Sequence, residues 1–392
     1  MIRYILSTLC ALAATASAAI TEKYVTSGAG GSGDGTSGNP YTLSQMITEI
    51  NGGAAAGNRY NVLVGTYTRG AADTITGSGT SSAPVIIRGY GSAIGDGYQG
   101  RTLDNGALVT TNMPLISYSG SGRLSVTGTW VLMESVRVVS AASNPSASFG
   151  NDSAVAHCIL ENSSTNGSAS CLTVSSRGVV FNSDVYMSGA SGGSTAITAT
   201  SASCRVLGNR IRVTSSTCPA VTIQSSTVVA KNTIFGGGGV GIAITATSSA
   251  NCIIDNTIVG CAGDGIDMIT GSTNLQFIAG NMITDNTGNG VDLVSSANAV
   301  FMAANRFRDN AASVNSGSDW VTATRYMGVD SGTTGDTSTD YENYGAFDFR
   351  LKNTSPATSA GIPLKASIGA NQRDQTGAGG GGPVEHAHTF IQ

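Results

Sequence analysis

Asp267 and Asp292 each stand 11 residues past an asparagine, Asn256 and Asn281, and these two asparagines are 25 residues apart. Asp285 and Asp309 lie four residues past Asn281 and Asn305, and Asp264 holds the position that Asn289 holds one period later. If equivalent positions stack, their carboxylates come to lie about 5 Å apart on one outer face. Like charges at that distance repel unless a cation or an arginine sits between them. Asp264, Asp267, Asp285 and Asp292 are therefore candidate ligands for Ca²⁺, the one cofactor the residues suggest. The competing reading is a set of solvated rungs that discourage edge aggregation and pair locally. Lys231 precedes Asn232 as Asp255 precedes Asn256, which predicts a cross-period pair, and Arg306 and Arg308 flank Asp309.

The asparagines that set this spacing are Asn209, Asn232, Asn256, Asn281 and Asn305, at steps of 23, 24, 25 and 24 residues. Each sits in a short apolar run, such as Val206 to Ile211 or Ile254 to Ile258, and a second run follows a glycine, as in Gly265 to Met268 and Gly290 to Leu293. Two or more short strands per period with no helical stretch cannot bury an apolar face alone. They must stack on their neighbours as a single-stranded parallel β-helix of about 24 residues per coil. The asparagines themselves are expected to form a buried amide ladder at a turn. Ahead of the repeats, Leu43, Met46, Ile47 and Ile50 lie at helical spacing. Thr42 and Gln45 make a capping-box pattern, so an amphipathic helix is expected over the open end of the solenoid. The expected organisation is a signal peptide over 1–18, an N-terminal cap and first coils over 19–105 and repeats over 106–311. An irregular loop and C-terminal cap over 312–376 and a flexible tail over 377–392 complete it.

The opening apolar run ends in Ala16-Ser-Ala18, a small-residue cleavage pattern, so a secreted, periplasmic or cell-surface product is expected. No segment is long and apolar enough to suggest a transmembrane helix. The charged fraction is 11% and the net charge −4, which argues against nucleic acid as a partner. Beyond Cys10 there are six cysteines, Cys158, Cys171, Cys204, Cys218, Cys252 and Cys261, in local pairs 13, 14 and 9 residues apart. An even count in an exported chain suggests disulfides in that order, the alternative being small buried hydrophobes. Trp320, Tyr326, Tyr341 and Tyr344 fall among acidic residues in an irregular stretch. Aromatic faces with carboxylates suit sugar, so these four are candidate carbohydrate contacts, or else a cover over the last coil. His386 and His388 sit in a glycine-flanked tail and carry no clear assignment.

Four segments resemble the pectate-lyase-like superfamily of right-handed parallel β-helix proteins. They are Gly33 to Thr36, Val62 to Tyr67, Pro84 to Tyr90, and the closing Phe349 to Ala357 with Ile368 to Ala370. The resemblance implies the right-handed coil and a polysaccharide partner. Because the superfamily spans enzymes, adhesins and virion spikes, it does not imply one activity. The paired aspartates and Gly-His-Gly of the pectin-hydrolase type are missing from the sequence. A calcium-dependent lyase acting on a uronate polymer would need a base beside the carboxylates, for which Lys231, Arg306 and Arg308 are the candidates. The primary expectation is polysaccharide binding in an adhesive or structural role. The lyase is one alternative and a phage-type receptor-binding spike another.

Overall fold

The computed structural model describes residues 20–316 apart from 29–31, 54, 103–106, 143–144, 165–169, 190–193, 215–216, 237, 246–249, 270–275, 294–299, 304 and 313. Beyond 316 it describes only the strand backbone at 325–327, 330–332, 341–343 and 348–351. The signal-peptide and tail expectations therefore lie outside the described residues, as do Trp320 and Tyr344 and the side chains of Tyr326 and Tyr341.

The chain winds as a right-handed parallel β-helix with three faces. Face A has 12 strands, from Thr21–Val25 to Arg325–Met327. Face B has 11, from Thr66–Arg69 to Asp330–Gly332, and face C has 10, from Asp73–Ile75 to Val314–Ser316. One representative coil runs Val228–Ala230 on A, Thr233–Gly236 on B and Ile242–Ile244 on C. Each strand pairs in parallel with its counterpart a coil later, Val228 with Cys252, Thr233 with Thr257 and Ile242 with Ile266. Stacking begins before residue 106, since Asn58–Leu63 and Val85–Tyr90 already belong to face A. It also continues past 311 through the strands at 314–316, 325–327 and 330–332.

Strands this short alternate in and out, so one or two inward residues per strand build the core, as with Val229 on face A and Ile242 and Ile244 on face C. On face A the column Val155, Val180, Val206, Val229, Ile253 and Ile278 is fully buried. Each such side chain contributes about 1.5–3 kcal/mol by leaving water. Helix α1, Leu43–Asn51, carries the Thr42–Gln45 capping box. Its Leu43, Met46 and Ile47 line, with Ile75, Ile87, Ile116, Leu124 and Met133, the apolar space at the first coils.

The corners share one local rule. A residue with left-handed backbone is followed by a small polar residue whose side chain turns inward. Between A and B the pairs are Lys231-Asn232 and Asp255-Asn256, with φ of 57° and 55° at the first member, and Gly280-Asn281 at 66°. Gly280 is doubly required there, because a Cβ would stand 2.3 Å from Asp255 Oδ1. Between B and C the pairs are Gly260-Cys261, Asp285-Asn286 and Asp309-Asn310; between C and A they are Asp152-Ser153, Ser203-Cys204 and Ser226-Thr227.

The expected amide ladder occupies the first corner. Asn209, Asn232, Asn256 and Asn281 each donate from Nδ2 to the Oδ1 of the next, at 3.0, 2.9, 3.0 and 2.9 Å, ending on Asn305. The backbone N–H of each donates to the same oxygen, and a second Nδ2 bond reaches the preceding coil, as from Asn232 to Val206 O at 2.8 Å. Two shorter ladders stand at the other corners. Thr227 N–H donates to Asn251 Oδ1 at 2.9 Å and Asn251 Nδ2 to Gln276 Oε1 at 2.9 Å. Cys261 N–H donates to Asn286 Oδ1 at 2.9 Å and Asn286 Nδ2 to Asn310 Oδ1 at 2.7 Å.

The disulfide expectation is corrected: all six cysteines are free. Cys158, Cys204 and Cys261 hold ladder positions at three different corners, after the left-handed residues His157, Ser203 and Gly260. The Cys158 thiol donates to Ala156 O at 3.2 Å and Met133 O at 3.5 Å, the same two kinds of carbonyl that Asn232 Nδ2 uses. Burial pushes the Cys158 and Cys261 thiols up to about 12. They are core groups and not nucleophiles.

Candidate functional site

The outward residues of face C form one column in register. It runs Thr74, Ser125, Ser148, Thr173, Thr198, Thr222, Ala243, Asp267 and Asp292. A row of hydroxyls therefore leads to two stacked carboxylates. Ser148 and Ser125 are hydrogen bonded at 3.2 Å, which ties part of the row together.

Asp264, in the turn before the strand Ile266–Met268, brings a third carboxylate to the end of this row. Its Oδ1 accepts the Asn289 N–H at 2.6 Å, which locks it between coils. One oxygen each from Asp264, Asp267 and Asp292 lies within 4.8 Å of the others, and all three residues are half-buried. Asp267 Oδ1 is buried and accepts no hydrogen bond among the described residues. Burial first, and then the charges of Asp264 and Asp292, push the Asp267 carboxyl up to about 6. Three converging carboxylates with one orphaned oxygen fit a hard divalent cation with oxygen ligands, which would neutralise the repulsion and satisfy that oxygen.

The other sequence candidates lie elsewhere. Asp285 is the left-handed residue of a B–C corner and stands outside this cluster. Lys231 is the left-handed residue of the A–B corner, opposite face C. Its charge opposes the rise of Asp255, whose carboxyl burial nonetheless pushes up to about 6, as the expected cross-coil neighbourhood requires. Arg306 and Arg308 project from face B, Arg306 nearly buried and Arg308 3.5 Å from Asp309. None of the three proposed bases shares the face of the acidic cluster. Between Asn232 and Asn305 the sequence contains no Lys, Arg or His at all, against five aspartates.

A family model for the right-handed β-helix region matches residues 147–322. No curated protein sequence matches the chain. Among solved structures, pectate lyase Pel9A superimposes with a TM-score of 0.67 at 17% identity, covering 91% of this chain and 98% of its own. A mannuronic-acid-specific lyase from human gut microbiota covers 80% of this chain and 82% of its own, at 11% identity and a TM-score of 0.39. A rhamnogalacturonan lyase covers 88% and 96%, with the same identity and score. In fold, the chain is a right-handed parallel β-helix, similar to that of pectate lyase Pel9A.

Proposed function

We propose that this chain binds polysaccharide along face C outside the cytoplasm, with Asp264, Asp267 and Asp292 holding a calcium ion at the point of contact. The observation that carries this reading is the orphaned, half-buried Asp267 carboxylate between two others at the end of a hydroxyl row. Calcium takes six to eight oxygen ligands, so three carboxylates leave positions for sugar hydroxyls or a uronate carboxylate. The Ser and Thr hydroxyls of the row can donate to and accept from a glycan lying along the helix axis. Trp320, Tyr326, Tyr341 and Tyr344 are proposed, on residue chemistry alone, as further sugar contacts. Cleavage by β-elimination would add a base beside the cation. With no basic residue in the coils that carry the cluster, binding without cleavage is the reading favoured over a lyase.

Calorimetry with calcium, then with uronate and neutral polymers in its presence, tests the proposal. Calcium-dependent retention of polymer, lost in Asp267→Ala/Asp292→Ala, is the expected result. Polymer binding that ignores both calcium and these substitutions would overturn it. Release of unsaturated product, followed by its ultraviolet absorbance, would replace binding with lyase action.

A further inference from the structure

Face C is uncharged along most of its length. In its outward column the first charge is Asp267, and every rung from Thr74 to Thr222 carries a hydroxyl. Two residues past these positions a second column holds Thr76, Thr127, Ser175, Thr200 and Thr245, with Gly150 and Gln224 among them, and it carries no charge either. Two arginines stand at the margins. Arg177 is spent on Asp152, its Nε and Nη2 donating to the two carboxylate oxygens at 2.5 and 2.6 Å. Arg123 precedes the second strand of the face, at the other end from the acidic cluster.

The protein does not use all of these hydroxyls itself. Ser125 and Ser148 bond each other, and Thr222 Oγ1 meets Thr195 Oγ1 at 3.0 Å. Thr173 and Thr198, half-buried and paired on neighbouring rungs, make no side-chain hydrogen bond among the described residues. A threonine presents a hydroxyl that both donates and accepts, with a methyl beside it, and so matches the hydroxyls and C–H groups of a sugar. The rungs repeat every ~4.8 Å, close to the length of one ring in an extended glycan, so a chain along the axis meets one coil per sugar. If each sugar carried a carboxylate, the hydroxyl rungs would receive a row of anions with no cation in either column, each losing hydration without a partner. At the acidic end, three carboxylates around one divalent cation still leave net negative charge, which repels a further carboxylate.

We infer that the ligand of face C is an extended, neutral glycan chain, one sugar per coil, and not a polyuronate. That choice presupposes the polysaccharide surface proposed above for face C and names its ligand class. Neighbouring hydroxyls of one sugar fill the open calcium positions at Asp264, Asp267 and Asp292, where the orphaned Asp267 Oδ1 lies, and the hydroxyl rungs read the sugars that follow. A neutral chain also lacks the acidic proton beside a uronate carboxylate that β-elimination removes, in agreement with binding without cleavage.

The test is calorimetry of the full chain, in calcium, with β-linked gluco-, manno- and xylo-oligosaccharides against oligogalacturonates and oligomannuronates of matched length. At least one neutral series is expected to bind tenfold or more tighter than either uronate series. Its affinity should still be rising at six sugars, the number of hydroxyl rungs from Thr74 to Thr222. Thr173→Val/Thr198→Val, which keeps shape and removes two hydroxyls, should weaken that binding about tenfold. Calcium affinity without sugar and the unfolding midpoint should stay as in the parent. Uronates that bind as tightly as the neutral oligomers would overturn the inference. So would an affinity that levels off at two or three sugars, or a double variant that binds like the parent. The polysaccharide surface itself fails in a different way, by binding of either set that ignores calcium and Asp267→Ala/Asp292→Ala. Absence of binding by every oligomer overturns both.

Discussion

Faces B and C both place charges on adjacent rungs about 4.8 Å apart, Asp184 and Arg210 of opposite sign on B and Asp267 and Asp292 of like sign on C, and the two are balanced in different ways. On face C, Asp267 and Asp292 meet Asp264 in coils whose sequence, from Asn232 to Asn305, holds no Lys or Arg after Lys231, and the Asp267 carboxyl rises toward neutrality. On face B, Arg210 follows Asp184 in register, and Arg101, reaching in from the chain between Val85–Tyr90 and Leu115–Tyr118, completes an ion pair with Asp184. The proposed calcium would complete one rung from solution, whereas the other is completed from within the chain. A repeat scaffold fixes where rungs fall, and an insertion between strands decides which of them is neutralised.

The sharpest way to break that contrast is to remove the internal partner. Asp184→Ala leaves Arg101 and Arg210 together without a carboxylate and frees the Leu108 N–H that donates to it. It should cost about 3 kcal/mol or more, read as a lowered denaturation midpoint with faster proteolysis inside 91–112.

The face C rung makes the opposite prediction. The folded-state pKa of Asp267 is raised to about 6 from 3.8, so the folded state binds this proton more tightly than the unfolded chain. Stability from this group is therefore fully present below the unfolded value and declines as pH rises through about 6. In EDTA above that pH, Asp267→Asn should stabilise the protein by about 1–2 kcal/mol, allowing for partial exposure. The same variant should lose the rise in melting temperature that calcium gives the parent chain. Thermal scans at several pH values, with calcium or EDTA, check both signs. A parent midpoint indifferent to calcium would remove the contrast between the faces.

The smallest effect belongs to an exposed rung. Arg137 and Glu161 pair at 2.6 Å across face B, with side chains 36% and 23% exposed. Arg137→Gln should cost less than about 0.5 kcal/mol by urea denaturation. A larger loss would mean that face B charges matter in general and not at the Asp184 centre in particular.

Much of this architecture was legible in residue order. Five asparagines at nearly constant spacing announced both the coil and its principal ladder, because a buried amide that bonds its own copy must recur once per turn. The two shorter ladders were not legible. Asn251 with Gln276, and Asn286 with Asn310, supply only two side-chain amides each, too few to stand out as a period, and Cys261 and Thr227 fill the next positions with other chemistry. The cysteines misled for the same reason. Their even count suggested bonds, whereas Cys158 and Cys261 are occupants of amide positions.

At the candidate site, the equal offsets of Asp267 and Asp292 from their asparagines were enough to stack them, since a parallel register preserves sequence offset. Asp264 joined them as expected, but Asp285 did not, because its left-handed backbone belongs to another corner. Residue order by itself determined the period, the inward columns and the carboxylates that share a rung, all of which follow from local spacing. Only the tertiary structure decided which face each charged residue occupies. The turns of the coil and the 91–112 excursion separate Lys231, Arg306 and Arg308 from the carboxylates, and bring Arg101 across more than eighty residues of chain to Asp184. That choice depends on where the chain bends, which no spacing rule along one strand records.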